Sequence, residues 1–306
     1  MSDLRTERGT VPSPRNGFAL SRETRRMLLP MLGGLIVAVY ILAPFCWLLL
    51  TSFMHEQDAL SVPPQWIPRN PTLSNYMTFI DPAGTRAIVG SRAAEQTFPG
   101  MVNSLLAATG TALLNLVLGT LAGYALARFR FPGRGSLLGL YLGSRLLPGI
   151  ALIVPLYLTI KNFGLLDHLS ALIVTYVSFT LPFTIWLLKN YFQTIPRSLE
   201  EAAFMDGCTW FGVFWRIVLP LSKPAVVSLL IFDGVATWNE FILAQIFLRA
   251  NTNRTLPLGV VNFQTEYATA YELLAAAQCI TIAPLIIVYL VFQRHFVDGL
   301  SGSVKS

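Results

Sequence analysis

The chain has 306 residues, of which 54% are hydrophobic and only 12% are charged. A soluble domain of this size could not bury so much apolar side-chain surface, so the composition excludes a soluble globular protein and indicates a polytopic membrane protein. A net charge of +6 would suit nucleic-acid binding in a soluble protein, but here the basic residues lie at the ends of apolar segments, where membrane topology explains them and no nucleic-acid partner is indicated.

Six segments are apolar over the roughly 20 residues that a helix needs to cross a bilayer. They are Leu28–Phe53, Val102–Ala127, Leu137–Ile160, Leu172–Phe192, Ala225–Phe247 and Leu273–Phe292. Their apolar residues run continuously and do not alternate with polar ones, which favours helices over the strands of a membrane barrel. The sequence therefore predicts an all-α membrane protein with six transmembrane helices, the first at 28–53 and the other five within 102–293.

The basic residues predict how these helices are oriented. Most of them lie in the N-terminal tail (1–27), in the connection after the second segment, in and just before the connection 198–224, and in the C-terminal tail (294–306). With six crossings these regions share one side of the membrane, and an excess of Lys and Arg marks the cytoplasmic side. We therefore expect both termini and 198–224 to be cytoplasmic. The polar tail 1–27 is expected to be mostly disordered.

The second predicted helix carries two further signals. Gly119 and Gly123 stand four residues apart, a spacing that lets another helix backbone approach closely, although ordinary membrane-helix glycines are the other interpretation. Three arginines, Arg128, Arg130 and Arg134, follow at its cytoplasmic end. We expect them to anchor that end among the lipid headgroups.

Four polar residues fall inside the apolar segments: Arg145, Asp233, Asn239 and Glu240. A membrane-buried arginine is costly, so we expect Arg145 to pair with Asp233, which is predicted at a similar depth, or each to pair separately within the bundle. Alternatively, Arg145 extends to the cytoplasmic headgroups. Asp233 and Glu240 are seven residues apart and would share a helix face, and with Asn239 they either line a translocation path or bind a partner subunit.

The connection 198–224 has the pattern of a short helical hairpin. Ser198 followed three residues later by Glu201 is a capping box, and Gly207 can take the left-handed conformation that ends a helix. Thr209 can cap a second helix, which would carry Phe211, Phe214 and Ile217 on one side. Two prolines, Pro220 and Pro224, are expected to break the chain before the next apolar segment. The pattern is typical of a docking element between membrane helices, and a surface helical loop is the alternative.

This hairpin resembles the EAA loop of permeases of binding-protein-dependent ABC importers. The match begins with Glu201-Ala202-Ala203. Gly207 follows after three intervening residues, Ile217 after nine more, and Leu219-Pro220 after one more. The resemblance implies the type I importer permease fold, in which this loop is the coupling helix that docks onto a cytoplasmic ATPase. The residues implied in that contact are Glu201, Ala202, Ala203, Asp206, Gly207, Phe211, Ile217, Leu219 and Pro220. Glu201 would either cap its helix or pair with a basic residue of the ATPase.

Other stretches resemble permeases of the carbohydrate-uptake type. They are PTLSNY in the outer connection 54–101, GYALARFRFPGR after the second helix, WNEF in the fifth, TLPLG and NFQTEY in the connection 248–271, and the closing QRHFVDGLSGSVKS. In maltose-type permeases the 248–271 loop reaches into the solute-binding protein, which implies contacts by Asn262, Phe263, Gln264 and Tyr267. The C-terminal tail would insert between ATPase subunits, although Asp298 and Ser306 depart from the family pattern.

The resemblance also implies the partners. The chain fits the second, six-helix permease of a maltose-type pair in a bacterial inner membrane. Its partners would be a second homologous permease subunit in a heterodimer, two ATPase subunits that hold ATP-Mg, an extracytoplasmic solute-binding protein, the lipid bilayer and a small-molecule carbohydrate. Sugar alcohols and glycerol phosphate esters are alternative solutes, since related permeases carry them.

The sequence offers no catalytic or metal-binding motif. It has no Gly-Lys pair and hence no P-loop, and its three histidines and three cysteines do not have metal-site spacing. We therefore expect a transport subunit with no cofactor of its own, not an enzyme. An ion-coupled secondary transporter would require inverted repeats, which are not evident, and a membrane-embedded enzyme would require a nucleophile or metal motif.

Overall fold

The computed structural model describes residues 22–81, 91–250, 253–264 and 269–301. Within these ranges the chain is helical, with one isolated antiparallel bridge between Gln264 and Thr269, and it contains no β-strand, as the composition predicted. The helices, in chain order, are α1 Arg22–Thr51, α2 Glu56–Ala59, α3 Ser74–Ile80, α4 Ser91–Arg128, α5 Arg134–Ser144, α6 Ile153–Asn162, α7 Leu169–Thr194, α8 Arg197–Met205, α9 Trp210–Val213, α10 Leu219–Leu221, α11 Lys223–Trp238, α12 Ile242–Phe247, α13 Leu256–Val261 and α14 Tyr271–Ser301.

Four helices in the described ranges are long and apolar enough to cross a membrane: Pro30–Thr51 in α1, Ala93–Arg128 in α4, α7, and Tyr271–Gln293 in α14. Two bent pairs raise the number to as many as six. Arg134–Ser144 and Gly149–Asn162 meet at 92°, and Trp210–Leu221 and Lys223–Trp238 meet at 75°. The described ranges therefore contain four helices that can cross a membrane, or up to six crossings if each bent pair counts as one.

Two compact units divide the chain, Met1–Trp47 and Leu48–Ser306. The described part of the first unit is most of α1, whose side chains from 30 to 46 are all exposed. Apolar side chains exposed along a whole helix are suited to contact with lipid. α1 begins at Arg22, so the predicted N-terminal tail is helical over 22–27; its remainder lies outside the described residues.

The predicted third helix, Leu137–Ile160, is interrupted in the structure. α5 ends at Ser144, and a short 3₁₀ turn, Gly149–Leu152, precedes α6. Pro148 explains the break, because it lacks the N–H that would continue the helix and disfavours helical backbone at the residue before it.

The predicted fifth helix, Ala225–Phe247, is also interrupted. α11 ends at Trp238, and α12 begins three residues beyond Asn239. The Glu240 carboxylate accepts hydrogen bonds from the backbone N–H groups of Leu243 (2.8 Å) and Ala244 (3.2 Å), which have no partner within the first turn of α12. The prediction that Asp233 and Glu240 share one helix face is therefore wrong, since they lie on opposite sides of this break.

Two other boundaries differ from the predicted ones. α4 begins at Ser91, so the end of the predicted connection 54–101 is helical and that connection also contains α2 and α3. α14 extends to Ser301, well into the predicted C-terminal tail 294–306. The rest of that tail, including Ser306, lies outside the described residues.

The central packing contact of the second unit is between α4 and α7, and two glycines make it close. A Cβ atom on Gly119 would lie 2.6 Å from the Cγ2 atom of Thr184. A Cβ atom on Gly123 would lie 3.1 Å from the Cβ atom of Leu188 and 3.2 Å from the backbone nitrogen of Lys189. The predicted close helix approach at these glycines is confirmed.

Candidate functional site

The connection between α7 and α11 forms the predicted helical hairpin. Gly207, which follows α8, has a φ of +85°, the left-handed conformation that glycine adopts without steric cost. The hydroxyl of Thr209 then accepts a hydrogen bond from the backbone N–H of Gly212 at 3.3 Å and caps α9. Both predictions for these two residues are confirmed.

The predicted capping box of α8 is wrong. The helix begins at Arg197 after Pro196, and no side chain caps its first turn. Ser198 therefore lies inside the helix and cannot act as its cap. Pro196 suits the position before the helix because a proline restricts its own φ and leaves one donor fewer to satisfy. Glu201 consequently has no capping role and is exposed.

The neighbouring acid, Glu200, is buried and holds α8 to the end of α4. Its Oε1 atom lies 2.5 Å from both Nε and Nη2 of Arg128, and its Oε2 atom accepts a hydrogen bond from the hydroxyl of Tyr124 at 3.1 Å. Arg128 Nη2 also donates to the backbone carbonyl of Ile195 at 3.0 Å. The side chains of Arg128 and Glu200 are only 5% and 4% exposed.

This ion pair corrects the prediction that Arg128 anchors the helix end among headgroups. The sequence analysis singled out Glu201 and missed Glu200. A local signal exists, because Glu200 and Ala203 are three residues apart and share a helix face, and both are buried. The partner of Glu200 could not be predicted, since it lies 72 residues earlier in the chain.

The inner side of the hairpin packs against α4 and α7. Val213, Phe214 and Val218 are fully or almost fully buried in a cluster that includes Tyr124 of α4 and Phe192 of α7. The ring centroids of Phe214 and Tyr124 are 5.1 Å apart. The hairpin thus shares one apolar core with the membrane helices that precede it.

The chain passes through Pro220 without breaking. A π-helical turn, Phe214–Val218, leads directly into α10, and the bend to α11 comes only at Ser222. A π-helical turn hydrogen-bonds across five residues in place of four, and such a wider turn can accommodate a proline that cannot donate within an α-helix. Pro224 lies in the first turn of α11, a position that proline tolerates.

The hairpin also presents large apolar side chains outward. Met205 is 89% exposed, Phe211 67% and Trp215 59%. Phe211 and Trp215 stack on each other, with centroids 6.3 Å apart and an angle of 12° between the rings. Phe211 and Trp215 lie in Trp210–Leu221, which by length and composition also qualifies as one arm of a bent span. Exposed apolar groups of this size are also suited to a protein–protein contact.

The residues predicted to contact an ATPase divide into two sets. Those exposed are Glu201, Ala202, Asp206, Gly207, Phe211 and Pro220. Ala203 is buried under the hairpin, and Ile217 and Leu219 are half-buried. Ala203 therefore serves packing within the chain in this conformation.

The predicted ion pair between Arg145 and Asp233 is absent from the described part of the chain. The Arg145 side chain is exposed in the break after α5, and its guanidinium lies 5.3 Å from the ring centroid of Phe183. Asp233 finds separate partners within the bundle, whereas Arg145 is exposed beside Phe183, and the alternative that it extends to the headgroups stays a prediction.

Asp233 belongs to a buried polar centre that joins three helices. Its Oδ2 atom accepts hydrogen bonds from the amide of Asn115 in α4 (2.9 Å) and the hydroxyl of Thr184 in α7 (3.2 Å). The Asn115 amide also donates to the hydroxyl of Thr180 at 2.5 Å. This centre lies at the level of the close helix approach and fixes α11 against α4 and α7. Neither Asn115 nor the threonines were identified from the sequence.

Glu240 lines a hollow of about 330 Å³ between α7, α11 and the chain after α5. The hydroxyl of Tyr176 donates to the Oε2 atom of Glu240 at 2.6 Å, and the polar side chains of Thr180 and Thr237 line the same hollow. Asn239 is exposed, and its amide donates to the carbonyl of Val235. Of the polar residues predicted for the fifth helix, Glu240 is the one that faces a cavity.

At the opposite end from the hairpin, the segment that follows α12 docks on α4. Asn262 is half-buried and donates to the side chain of Gln96 at 3.1 Å, and Gln264 is exposed. Phe263 is fully buried, with its ring centroid 5.8 Å from that of Phe79. The predicted role of Phe263 as a contact for a binding protein is therefore wrong in this conformation, because the ring belongs to the core. Tyr267 lies outside the described residues.

These features can be compared with known proteins. Residues 115–302 match the family described as binding-protein-dependent transport system inner membrane component. The probable ABC transporter permease protein YurM of Bacillus subtilis is 37% identical over 87% of this chain and 86% of its own length. The trehalose/maltose transport system permease protein MalG of Thermococcus litoralis is 32% identical over 94% of this chain and 99% of its own.

A solved structure has the same fold. It is a crystal structure of a bacterial ABC transporter involved in the import of the acidic polysaccharide alginate, and one of its chains superposes with a TM-score of 0.75 over 92% of this chain and 99% of that one, at 22% identity. The fold is that of a type I ABC importer permease. The matched region contains α7, the hairpin, the polar centre and α14. The chain belongs to the family of binding-protein-dependent transport system inner membrane components, the membrane permeases of ABC transporters.

Proposed function

We propose that this chain is a carbohydrate-importing permease subunit in which the hairpin 198–224 is the coupling helix. The observation that carries the proposal is the two-sided character of the hairpin. Its inner side is fixed to α4 by the buried Arg128–Glu200 pair, and its outer side exposes Met205, Phe211 and Trp215.

The inner attachment explains how movement of the hairpin would reach the membrane helices. Breaking a buried ion pair costs about 3–5 kcal/mol, because one charge is left without compensation. The pair therefore resists separation of α8 from α4, and a movement of the hairpin would be passed to α4. α4 in turn is closely packed on α7 through Gly119 and Gly123, so both helices would move as one unit.

The outer side supports an ATPase partner. The exposed apolar side chains would enter a cleft of that subunit, and the exposed carboxylate of Glu201 would pair with one of its basic residues. ATP-Mg would be bound by two such ATPase subunits, since the sequence of this chain has no P-loop. The excess of basic residues supports a cytoplasmic hairpin and cytoplasmic termini in a bacterial inner membrane.

The proposed solute is a carbohydrate delivered by a solute-binding protein. The name of the Thermococcus litoralis relative and the resemblance to maltose-type permeases support this assignment. The hollow that Glu240 lines is largely apolar, and the Glu240 carboxylate is already hydrogen-bonded within the chain, so the assignment of the solute rests on the resemblance and not on this hollow. A second homologous permease would complete the path as a heterodimer.

Co-purification with the ATPase tests the proposed coupling helix. Phe211→Glu places a charge in the exposed apolar surface without disturbing the core, so we expect loss of the ATPase from the purified complex. Ile67→Glu is the matched control, because Ile67 is 73% exposed in the connection after α2. Equal ATPase recovery from both variants would contradict the assignment of the hairpin. Uptake driven by ATP in vesicles without an ion gradient would separate this function from that of a secondary transporter.

A further inference from the structure

A second polar hollow, of about 330 Å³, lies at the end of the bundle opposite the hairpin. Its polar lining consists of Arg249, Arg254, Gln245 and Asn262, and the side chain of Leu258 contributes an apolar part. None of the described residues that line this hollow is acidic. The hollow is separate from the one that Glu240 lines.

The first arginine is held in place from both its backbone and its side chain. Asp167, with a φ of 60°, accepts hydrogen bonds on Oδ1 from the backbone N–H groups of Arg249 and Ala250. The Arg249 guanidinium donates from Nη2 to the hydroxyl of Tyr157 at 2.8 Å, and it lies 5.6 Å from the ring centroid. A guanidinium has five donors, so this neutral partner leaves most of them available.

The second arginine is held by α4. The backbone carbonyl of Arg254 accepts from the Asn103 amide at 2.9 Å, and the N–H of Leu256 donates to the Ser104 hydroxyl at 2.8 Å. The Nε atom of Arg254 is buried and has no hydrogen-bond acceptor. An unsatisfied buried donor is costly, and more so when it carries charge, so the hydrogen-bonding capacity of the Arg254 guanidinium is not met within the described part of the chain.

Among the described residues neither Arg249 nor Arg254 forms a direct side-chain ion pair, although the nearby Asp167 carboxylate attracts Arg249 electrostatically. Asp167 is the neighbouring acid, and its Oδ1 atom is occupied by the two backbone N–H groups. Planar guanidinium groups recognise oxyanions through paired charge-assisted hydrogen bonds. Amide donors such as those of Gln245 and Asn262 would complete the coordination of a single oxyanion group.

We propose that this outer hollow is a subsite for one oxyanion group, a carboxylate in the simplest case. The group would belong either to an acidic solute or to an acidic side chain of the solute-binding protein. The use of this subsite in transport rests on the proposed function, whereas the binding of an oxyanion by this chain does not. Arg254 and Arg249 supply the two positive charges that line the hollow.

Binding of glucuronate, compared with glucose, tests the subsite. The purified full-length chain is titrated with each sugar at constant ionic strength, and binding is followed by the shift in its thermal unfolding temperature. We expect glucuronate but not glucose to stabilise the chain. Arg254→Gln should weaken glucuronate binding about tenfold or more, as expected for loss of a charge-assisted hydrogen bond. Lys161→Gln, which removes an exposed charge at the same end, should not weaken it.

Equal stabilisation by glucuronate and glucose, or equal binding by Arg254→Gln and the unchanged chain, would overturn the proposal. The comparison of the two sugars needs no variant, so it holds even if a substitution affects folding. Arg254→Lys adds a second test, since it keeps the charge without the planar donor pair and should bind with intermediate affinity.

Binding measurements on the assembled transporter distinguish between the two sources of the oxyanion, the solute and the solute-binding protein. If solute-binding protein without solute binds Arg254→Gln transporter more weakly, and glucuronate competes for the unchanged transporter, the group is a side chain of that protein. If the solute-binding protein binds the Arg254→Gln transporter as tightly as the unchanged transporter, and glucuronate still binds the unchanged transporter, the group belongs to the solute. A chain that binds glucuronate but imports nothing with any ATPase would refute the proposed function and leave the subsite standing.

Discussion

Arg128 and Glu200 form a buried ion pair that joins the last residue of α4 to the first turn of α8. The pair is supported on both sides, by the Tyr124 hydroxyl on the carboxylate and by the Ile195 carbonyl on the guanidinium. It therefore connects the hairpin to the membrane helices through side chains as well as through the chain itself.

Removal of one member of this pair should be strongly destabilising. Glu200→Ala leaves the Arg128 guanidinium buried without its counter-charge, and we expect the free energy of unfolding to fall by about 3–5 kcal/mol. The double variant Arg128→Met/Glu200→Leu should recover part of that loss, because both charges are removed together. Denaturant unfolding in detergent measures each variant.

The control for this prediction is Glu201→Ala, which removes the adjacent but exposed acid. Its effect should stay within about 0.5 kcal/mol. If Glu201→Ala destabilised the chain as much as Glu200→Ala does, the assignment of the buried acid would be refuted.

A side chain at Gly123 should separate α4 from α7. Gly123→Val brings its side chain against the backbone of Lys189 and the Cβ of Leu188, and overpacking of this kind costs about 1–3 kcal/mol. Thermal unfolding of the purified chain measures the loss. Gly139→Ala in α5 is the matched control, because its added Cβ would meet nothing within 4 Å. Equal losses in both variants would show that the close approach does not limit packing.

Arg145 and Asp233 should behave as independent sites. Asp233→Ala removes an acceptor that Asn115 and Thr184 share and should cost about 1–3 kcal/mol. Arg145→Ala removes an exposed contact with Phe183 and a weaker, longer-range attraction to Asp233. Since the two share no partner, their effects should add to within about 0.5 kcal/mol in the double variant. Partial recovery in the double variant would instead indicate the direct ion pair.

Asp167 should make a pH-dependent contribution to stability. The backbone N–H groups of Ala250 and then Arg249 donate to its carboxylate and lower its pKa. A carboxyl whose pKa is lower in the folded state stabilises fully above its unfolded pKa of about 3.9 and loses that contribution as the pH falls through the folded value. Asn tolerates positive φ, so Asp167→Asn removes the charge without forcing the backbone.

Unfolding measured across pH should therefore show the unchanged chain more stable than Asp167→Asn at neutral pH, with the difference vanishing in strong acid. A difference that persists unchanged below the lowered pKa would contradict the role of the charge.

Local signals were sufficient for part of this structure. Apolar length predicted four helices that the structure shows as long enough to cross a membrane. The positive φ of Gly207 followed from its place between two helices, and Thr209 caps its helix as its position indicated. The spacing of Gly119 and Gly123 predicted a close helix contact. Each of these features depends on residues that are close together in the sequence.

The errors arose where distant residues decide the outcome. Glu200 and Glu201 are adjacent and chemically identical, and Glu200 is the one on the buried face of α8, where Arg128 and Tyr124 of α4 meet it. Arg128 looked like a headgroup anchor because no sequence signal indicated that α8 packs over it. Phe263 resembled a contact residue of the family's loop, but its environment depends on α3, far earlier in the chain.

The breaks in the third and fifth segments had a different cause. Hydropathy measures only how apolar a segment is and carries no information on backbone geometry. An apolar segment that contains Pro148 or Glu240 is therefore predicted as one continuous helix. In the structure Pro148 cannot continue a helix, and Glu240 begins a new one by satisfying its free N–H groups.

The coupling ratio of the Glu200→Gln transporter tests the central claim most directly. Solute imported per ATP hydrolysed is measured in proteoliposomes that contain the permeases and ATPases with their solute-binding protein, and Glu56→Gln, an exposed acid in α2, serves as the control. If the Arg128–Glu200 pair passes the movement of the hairpin to α4, Glu200→Gln continues to hydrolyse ATP while its imported solute per ATP falls well below that of the control. An unchanged ratio in Glu200→Gln would contradict the account.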